Sequence, residues 1–253
     1  MQVEYFNLWS DYLNQQMEFK VYGNRGKPVI VFPTQGGRFY EYEDFGMVGA
    51  CQPYVADGKI QLVTVDSIDN QSWVNWGIHP ADRAIRHNQY DRYIVEEIIP
   101  FIRQQNPYPG KLMTTGCSMG AYHSANFFFK HPQVFDTLIA ISGLLRLNMF
   151  IGDYMDDNIY FNTPLAYLPN LADPDILGLY RQSDIIVCVG QGAWEDPMLE
   201  DAYALKRILE EKDIPAWIDI WGYDVNHDWP WWRRMMPYFL SRLEYENSEQ
   251  EVS

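Results

Sequence analysis

The stretch Gly116-Cys117-Ser118-Met119-Gly120 decides the fold, because it lies where a strand gives way to a helix. Residues 111–115 (KLMTT) are typical of a short buried strand, and residues 121–130 (AYHSANFFFK) are typical of a helix. A serine between two glycines at such a junction predicts a sharp turn, since only small residues fit on either side of it. The Ser118 hydroxyl would then project at the strand end, beside the N–H groups of a helix N-terminus.

Apolar runs and helical stretches alternate along the rest of the chain. Continuous apolar strands are predicted over residues 28–32, 60–65, 137–141, 184–189 and 216–221, after one or two antiparallel strands within residues 1–22. Helices are predicted over 44–56, 81–105, 198–212 and 229–246. Strands of this kind, alternating with helices, indicate a mostly parallel sheet that is covered by helices on both faces. The sequence therefore predicts the α/β class.

The chain is predicted to form a single domain over residues 1–253. It has no internal repeat and no low-complexity linker, and 253 residues are compatible with one α/β domain. Residues 144–180 interrupt the alternation and are rich in Pro, Asp and Asn, which indicates an irregular insertion. This insertion could cover the site as a lid or lie at the periphery, and the sequence leaves both readings open.

Composition excludes several classes of partner. A net charge of -15 argues against binding to nucleic acid or to an anionic membrane. No stretch reaches the length of about 18 apolar residues that a membrane span needs, and the N-terminus lacks the pattern of a signal peptide. The three cysteines, Cys51, Cys117 and Cys188, are widely spaced, which predicts buried free thiols and a cytoplasmic protein. No Cys/His cluster has the spacing of a metal site, and homo-oligomer formation stays open.

A serine hydroxyl needs a general base, and that base needs an orienting acid. The strand over 184–189 runs into Glu195 and Asp196, and the strand over 216–221 runs into His227. The order is therefore serine, acid, histidine, each at the carboxyl end of a predicted strand, which is the order of the α/β-hydrolase triad. Asp196 and Glu195 are both candidates for the acid, and either could instead cap the helix that begins near Pro197.

The remaining candidates would surround this site. The N–H of Met119 and an N–H from the loop after the strand over 28–32, at Gln35 or Gly36, would stabilise an oxyanion. Trp194 and Trp229 are candidates for the wall of a substrate pocket. His123 lies one turn after Ser118 on the predicted helix, so it either lines the site or packs in the core.

The chain resembles the esterase D-like branch of the α/β-hydrolase superfamily over most of residues 25–242. The motifs that carry the resemblance are VFPTQGG at 31–37, GCSMGA at 116–121, DPML at 196–199 and HDW at 227–229 with Trp232. The resemblance implies Ser118 as nucleophile, His227 as base and Asp196 as acid. It also implies the α/β-hydrolase fold, a small-molecule ester as substrate, and no metal or cofactor. Glu195 beside Asp196 is a departure from the family pattern.

Two other functions compete with ester hydrolysis. The same three residues would serve an acyltransferase if an alcohol or thiol outcompeted water. A protein with this fold could also act through its surface without catalysis. The intact set of serine, histidine and acid favours an enzyme.

Overall fold

The computed structural model describes residues 1–245, and in that part of the chain eight strands form one sheet. The strands are β1 (Val3–Ser10), β2 (Gln15–Tyr22), β3 (Lys27–Phe32), β4 (Ile60–Val65), β5 (Leu112–Cys117), β6 (Phe135–Ile141), β7 (Asp184–Val189) and β8 (Trp217–Ile220). Their order in the sheet is β1-β2-β4-β3-β5-β6-β7-β8. The first two strands form an antiparallel hairpin that continues antiparallel onto β4, and all later pairs are parallel. The prediction of a mostly parallel sheet is confirmed.

Helices cover both faces of this sheet. The longer ones are α2 (Met47–Ala56), α3 (Pro80–Arg92), α5 (Met119–Lys130), α10 (Asp196–Glu211) and α11 (Trp229–Leu240). The shorter ones are α1 (Glu41–Asp44), α4 (Ile99–Gln105), α6 (Asn148–Ile151), α7 (Asp157–Tyr160), α8 (Pro164–Tyr167) and α9 (Pro174–Arg181). A π-helical segment, Tyr93–Ile98, joins α3 to α4, and short 3-10 helices occupy Asp69–Gln71 and Leu168–Asn170. Within residues 1–245, no helix is long and apolar enough to cross a bilayer.

The alternating side chains of the strands divide the core into two layers. In β3, Ile30 and Phe32 pack on the face that holds Tyr90 and Phe127, from α3 and α5. Val29 and Val31 pack on the opposite face against α2 and α11. Because both faces are buried, the strand reads as a continuous apolar run.

The bounds of some predicted elements were wrong. The strand before Ser118 extends to Cys117 and the helix after it starts at Met119, so the turn is tighter than the sequence suggested, because Gly116 and Cys117 still pair with β6. The helix predicted over 44–56 is divided at Phe45 and Gly46. The last helix ends at Leu240, and residue 246 of its predicted range lies outside the described residues.

The insertion at 144–180 forms α6 to α9 and packs beside the start of α5. Its residues Leu147, Phe150 and Ile159 are buried in a cluster with Met119 and Tyr122 of that helix. The Tyr122 hydroxyl donates a hydrogen bond of 2.9 Å to a backbone carbonyl of the insertion, at Asn162. These contacts place the insertion at the carboxyl end of β5, next to Ser118.

Candidate active site

Ser118 occupies a strained turn between β5 and α5. Its backbone has φ 56° and ψ -120°, a region that residues other than glycine rarely adopt. The flanking glycines make the turn sterically possible: a Cβ on Gly116 would lie 2.4 Å from the carbonyl carbon of Gly120, and one on Gly120 would lie 2.3 Å from the Phe32 carbonyl oxygen. The glycines therefore allow the turn at Ser118 to contact the end of β3.

Replacing Gly120 with alanine is expected to destabilise the protein by about 3 kcal/mol, because its methyl group would overlap the backbone of β3. Gly178, within α9, is a matched control because a Cβ there would meet no atom of residues 1–245 within 4 Å. Gly178→Ala is expected to stabilise the fold by roughly 1 kcal/mol through helix propensity. Urea unfolding of both variants measures the difference, and equal effects would contradict the packing of this turn.

His227 lies in the loop after β8, with its ring against the nucleophile candidate. Its Nε2 atom is 2.9 Å from Ser118 Oγ. The His227 N–H donates to the carbonyl of Ala193 at 3.0 Å, which joins this loop to the loop after β7. The next residue, Asp228, caps α11, and the indole of Trp232 meets the imidazole edge to face with the ring centroids 4.9 Å apart. The position of the His227 ring is therefore fixed by its backbone hydrogen bond to Ala193, by the start of α11 at the next residue, and by packing against Trp232.

Glu195 is the carboxylate beside this histidine. Its side chain is 0% exposed, and its Oε1 atom lies 3.6 Å from His227 Nδ1. Ser142, at the end of β6, donates a hydrogen bond of 2.7 Å to Oε1, and the Trp232 indole N–H donates to Ser142 Oγ at 3.1 Å. Asp196, the acid that the family pattern implied, is exposed and is the first residue of α10. The geometry therefore favours Glu195, the alternative acid of the sequence analysis.

Two polar atoms at this contact lack a hydrogen bond within the described part of the chain. They are His227 Nδ1 and Glu195 Oε2, and both are buried. Buried polar atoms are rarely left unpaired, and catalytic hydrogen bonds are often longer in an empty site than in the reacting complex. A closer approach of the carboxylate in the reacting complex would give His227 Nδ1 an acceptor, since Glu195 Oε1 lies only 3.6 Å from it.

The backbone donors for an oxyanion come from two segments. Met119 is the first residue of α5, so its N–H has no acceptor within the helix. In the loop after β3, Thr34 N–H donates to Glu41 at 2.7 Å and Gly36 N–H donates to Asp69 at 3.3 Å. Gln35 lies between these two occupied amides and faces the cavity beside Ser118. Because the Gly36 N–H already donates to Asp69, the Gln35 N–H is the better candidate for donating a hydrogen bond to an oxyanion.

Two carboxylates hold this loop in place. Asp69 also pairs with His123 of α5, whose Nε2 lies 2.8 Å from Asp69 Oδ1, and both side chains are buried. Glu41 accepts hydrogen bonds from the N–H and the hydroxyl of Thr34. Burial raises the pKa of Glu41, although the bonds from Thr34 oppose the shift.

A cavity of about 450 Å³ opens beside Ser118 and His227. Its wall is mostly apolar and includes residues of the insertion; besides Ser118 and His227 it is formed by Gln35, Met119, Ser142, Leu144, Met149, Phe150, Trp194, Asp196, Pro197 and Met198. Trp194 is at this wall, as the sequence suggested. Trp229 is instead buried in the core, with its ring stacked on Phe45 at a centroid distance of 4.7 Å. His123 is also buried away from the cavity, where its partner is Asp69.

Cys117, directly before Ser118, is an unsuitable nucleophile. Its side chain is fully buried, and burial raises the pKa of the thiol well above its ordinary value. The reactive form of a cysteine is the thiolate, which such an environment suppresses. The hydroxyl of Ser118 is the group that reaches the cavity.

Sequence reasoning missed the residues that position the others. Ser142 and Asp69 come from distant parts of the chain, and their roles depend on how β6 and the loop after β4 meet the site. The one available signal was that Ser142 follows β6, the strand that pairs with β5, which leads into Ser118. The described residues contain no group of three His, Cys, Asp or Glu side chains arranged to hold a metal ion.

A serine in a sharp turn after one parallel strand, with an acid and a histidine after later strands, is the arrangement typical of α/β-hydrolases. Residues 10–243 match the sequence profile of the family described as "Putative esterase", and the chain belongs to that family. No curated protein matches the sequence.

Solved structures share the fold over nearly their whole length. A ferulic acid esterase is 18% identical with a TM-score of 0.75, and the match covers 95% of this chain and 98% of that one. An S-formylglutathione hydrolase from Agrobacterium tumefaciens is 15% identical with a TM-score of 0.73, covering 95% and 93%. The fluorophosphonate-binding serine hydrolase FphF of Staphylococcus aureus is 13% identical with a TM-score of 0.68, covering 95% and 97%. These similarities establish the α/β-hydrolase fold.

Proposed function

We propose that this esterase cleaves a carboxylic ester through an acyl-enzyme on Ser118, with His227 as general base and Glu195 as the orienting acid. The observation that carries the proposal is the 2.9 Å contact between Ser118 Oγ and His227 Nε2 at the mouth of an apolar cavity. This spacing is within the range in which a hydroxyl can transfer its proton to an imidazole.

The reaction has two halves. In the first, Ser118 Oγ attacks the ester carbonyl and its proton passes to His227 Nε2; the tetrahedral intermediate then expels the alcohol, which takes that proton. In the second, water attacks the acyl carbon and gives a proton to His227; the tetrahedral intermediate then expels Ser118 Oγ, which takes that proton back, and the carboxylic acid leaves. The N–H groups of Met119 and Gln35 stabilise the oxyanion in both halves.

Glu195 acts on the imidazole and not on the substrate. A carboxylate at Nδ1 holds the tautomer in which Nε2 is free to accept the serine proton, and it stabilises the imidazolium that follows. Ser142 and Trp232 position Glu195, because the Trp232 N–H donates to Ser142 and the Ser142 hydroxyl donates to the carboxylate. Burial of Glu195 strengthens this interaction by excluding water.

Burst kinetics test the proposal. Mixing enzyme with excess p-nitrophenyl acetate should release about one equivalent of p-nitrophenol per site when deacylation is the slower step.

Product analysis with added alcohols or thiols then separates hydrolysis from acyl transfer. Free acetate as the main product supports an esterase, and acetylated acceptor as the main product supports the acyltransferase.

We infer further that the enzyme works in the cytoplasm. Cys51, Cys117 and Cys188 are all buried and unpaired, which suits a reducing compartment. Fractionation of the source cells would test this location.

A further inference from the structure

The cavity beside Ser118 is poor in positive charge. Among its lining residues, all of which belong to the described part of the chain, Asp196 is the only carboxylate and there is no lysine or arginine. His227, the other titratable group, must be neutral to act as a base. A negatively charged group that entered this cavity would therefore meet a carboxylate and no compensating cation.

Two arginines close to the cavity wall are committed to structural bonds: Arg83, which bonds to the wall residue Phe150, and Arg146, which follows the wall residue Leu144 by two positions. Arg83 is buried and donates to the carbonyls of Ile78 and Phe150, at 3.0 and 2.8 Å, which fixes the Phe150 segment. The guanidinium of Arg146 pairs with Asp201 of α10. Neither side chain is free to turn toward a bound anion without losing these partners.

The rest of the wall favours apolar groups. Leu144, Met149, Phe150 and Met198 contribute apolar surface. Trp194 is 83% exposed and sits in the left-handed region at φ 69°, an unfavourable state for a bulky aromatic residue. Strained backbone of this kind clusters at ligand-binding sites, and Trp194 lies at the cavity wall.

We propose that this site selects esters whose group beside Asp196 is uncharged or cationic and rejects esters that carry a carboxylate or phosphate there. Asp196 is the residue that sets this selectivity, through its charge and not through acid catalysis. The inference rests on the proposed esterase function, and the net charge of -15 acts in the same direction at longer range.

The test compares p-nitrophenyl esters of pentanoic acid, glutaric acid and 4-(trimethylammonio)butyric acid, which are similar in length and differ in charge. A second series varies the alcohol: phenyl acetate and its 4-carboxy and 4-trimethylammonio derivatives. Comparing each variant with the wild type cancels the intrinsic reactivity of the esters. In at least one series, the neutral and cationic esters should exceed the anionic ester in kcat/KM by about tenfold.

Variants of two exposed acids on α10 then locate the cause. Asp196→Asn should reduce the discrimination against the anionic ester to less than about threefold, and Asp196→Lys should invert it. Glu200→Gln, one turn further along the helix and outside the cavity wall, removes the same charge and should leave the ratio unchanged. The effects of Asp196 should also shrink in 1 M salt.

The outcomes separate this inference from the proposed function. Failure to hydrolyse any of these esters would overturn the proposed function. Hydrolysis that depends on Ser118 but shows no charge preference, or a preference equally altered by Glu200→Gln, would overturn the selectivity alone.

Discussion

Replacing Ser118 with alanine is expected to lower kcat/KM for a p-nitrophenyl ester by about 10⁴-fold or more. The substitution removes the only hydroxyl that both faces the cavity and lies within hydrogen-bond distance of His227 Nε2, among the residues that the structure describes. The fold should be retained, because alanine keeps the Cβ and the flanking glycines remain. Steady-state kinetics together with a thermal melt measure both effects.

The control for this variant is Ser241→Ala, at the exposed end of α11, where the hydroxyl donates a hydrogen bond to the Tyr238 carbonyl and lies far from the cavity along the chain. Its activity should equal that of the wild type. Turnover retained by Ser118→Ala, in a preparation free of contaminating esterase, would refute the role of Ser118. If Ser118→Ala loses its melting transition as well as its activity, Ser118→Cys is the variant to measure, because it keeps an ionisable group at the same place.

The second large effect concerns the acid. Glu195→Gln is expected to lower kcat by about 10³- to 10⁴-fold, because an amide beside Nδ1 no longer favours the tautomer with a free Nε2. The amide has nearly the same volume as the carboxylate, so the buried site remains filled. Its oxygen can still accept the hydrogen bond from Ser142, which keeps the side chain in place.

Asp196→Asn is the comparison that decides between the two adjacent acids. Asp196 is exposed at the start of α10, so its loss should change kcat for a neutral ester by less than about tenfold. Glu200→Gln serves as the matched control for the loss of one negative charge on the same helix. If Asp196→Asn lowers kcat more than Glu195→Gln does, Asp196 is the acid and the role assigned to Glu195 is wrong.

Much of the fold could be predicted because the sheet is buried on both faces. Residues 29–32, for example, are all apolar, so the sequence pattern of a buried strand is clear. The glycines around Ser118 likewise indicate a turn that only small residues permit. Element ends were less well predicted. Gly116 and Cys117 belong to β5 because β6 offers them partners, which a local pattern cannot reveal.

For the candidate site, the sequence could predict those residues whose place after a strand, in a known order along the chain, indicates their chemical role. Ser118 and His227 follow their strands in the expected sequence, and the structure brings their side chains together. The sequence could not distinguish Glu195 from Asp196, since the choice depends on which side chain turns inward at the start of α10. Likewise, one turn of helix separates His123 from Ser118, but Asp69 holds that ring away from the cavity.

The most direct measurement of the central claim is mass spectrometry after reaction with a fluorophosphonate, a probe that phosphonylates activated serines. We expect one adduct per chain, mapped to the peptide that contains Ser118, and no adduct on the Ser118→Ala variant. Glu195→Gln should label far more slowly than Glu200→Gln. An unlabelled protein, or an adduct on any other residue, would contradict the assignment of Ser118 as the nucleophile.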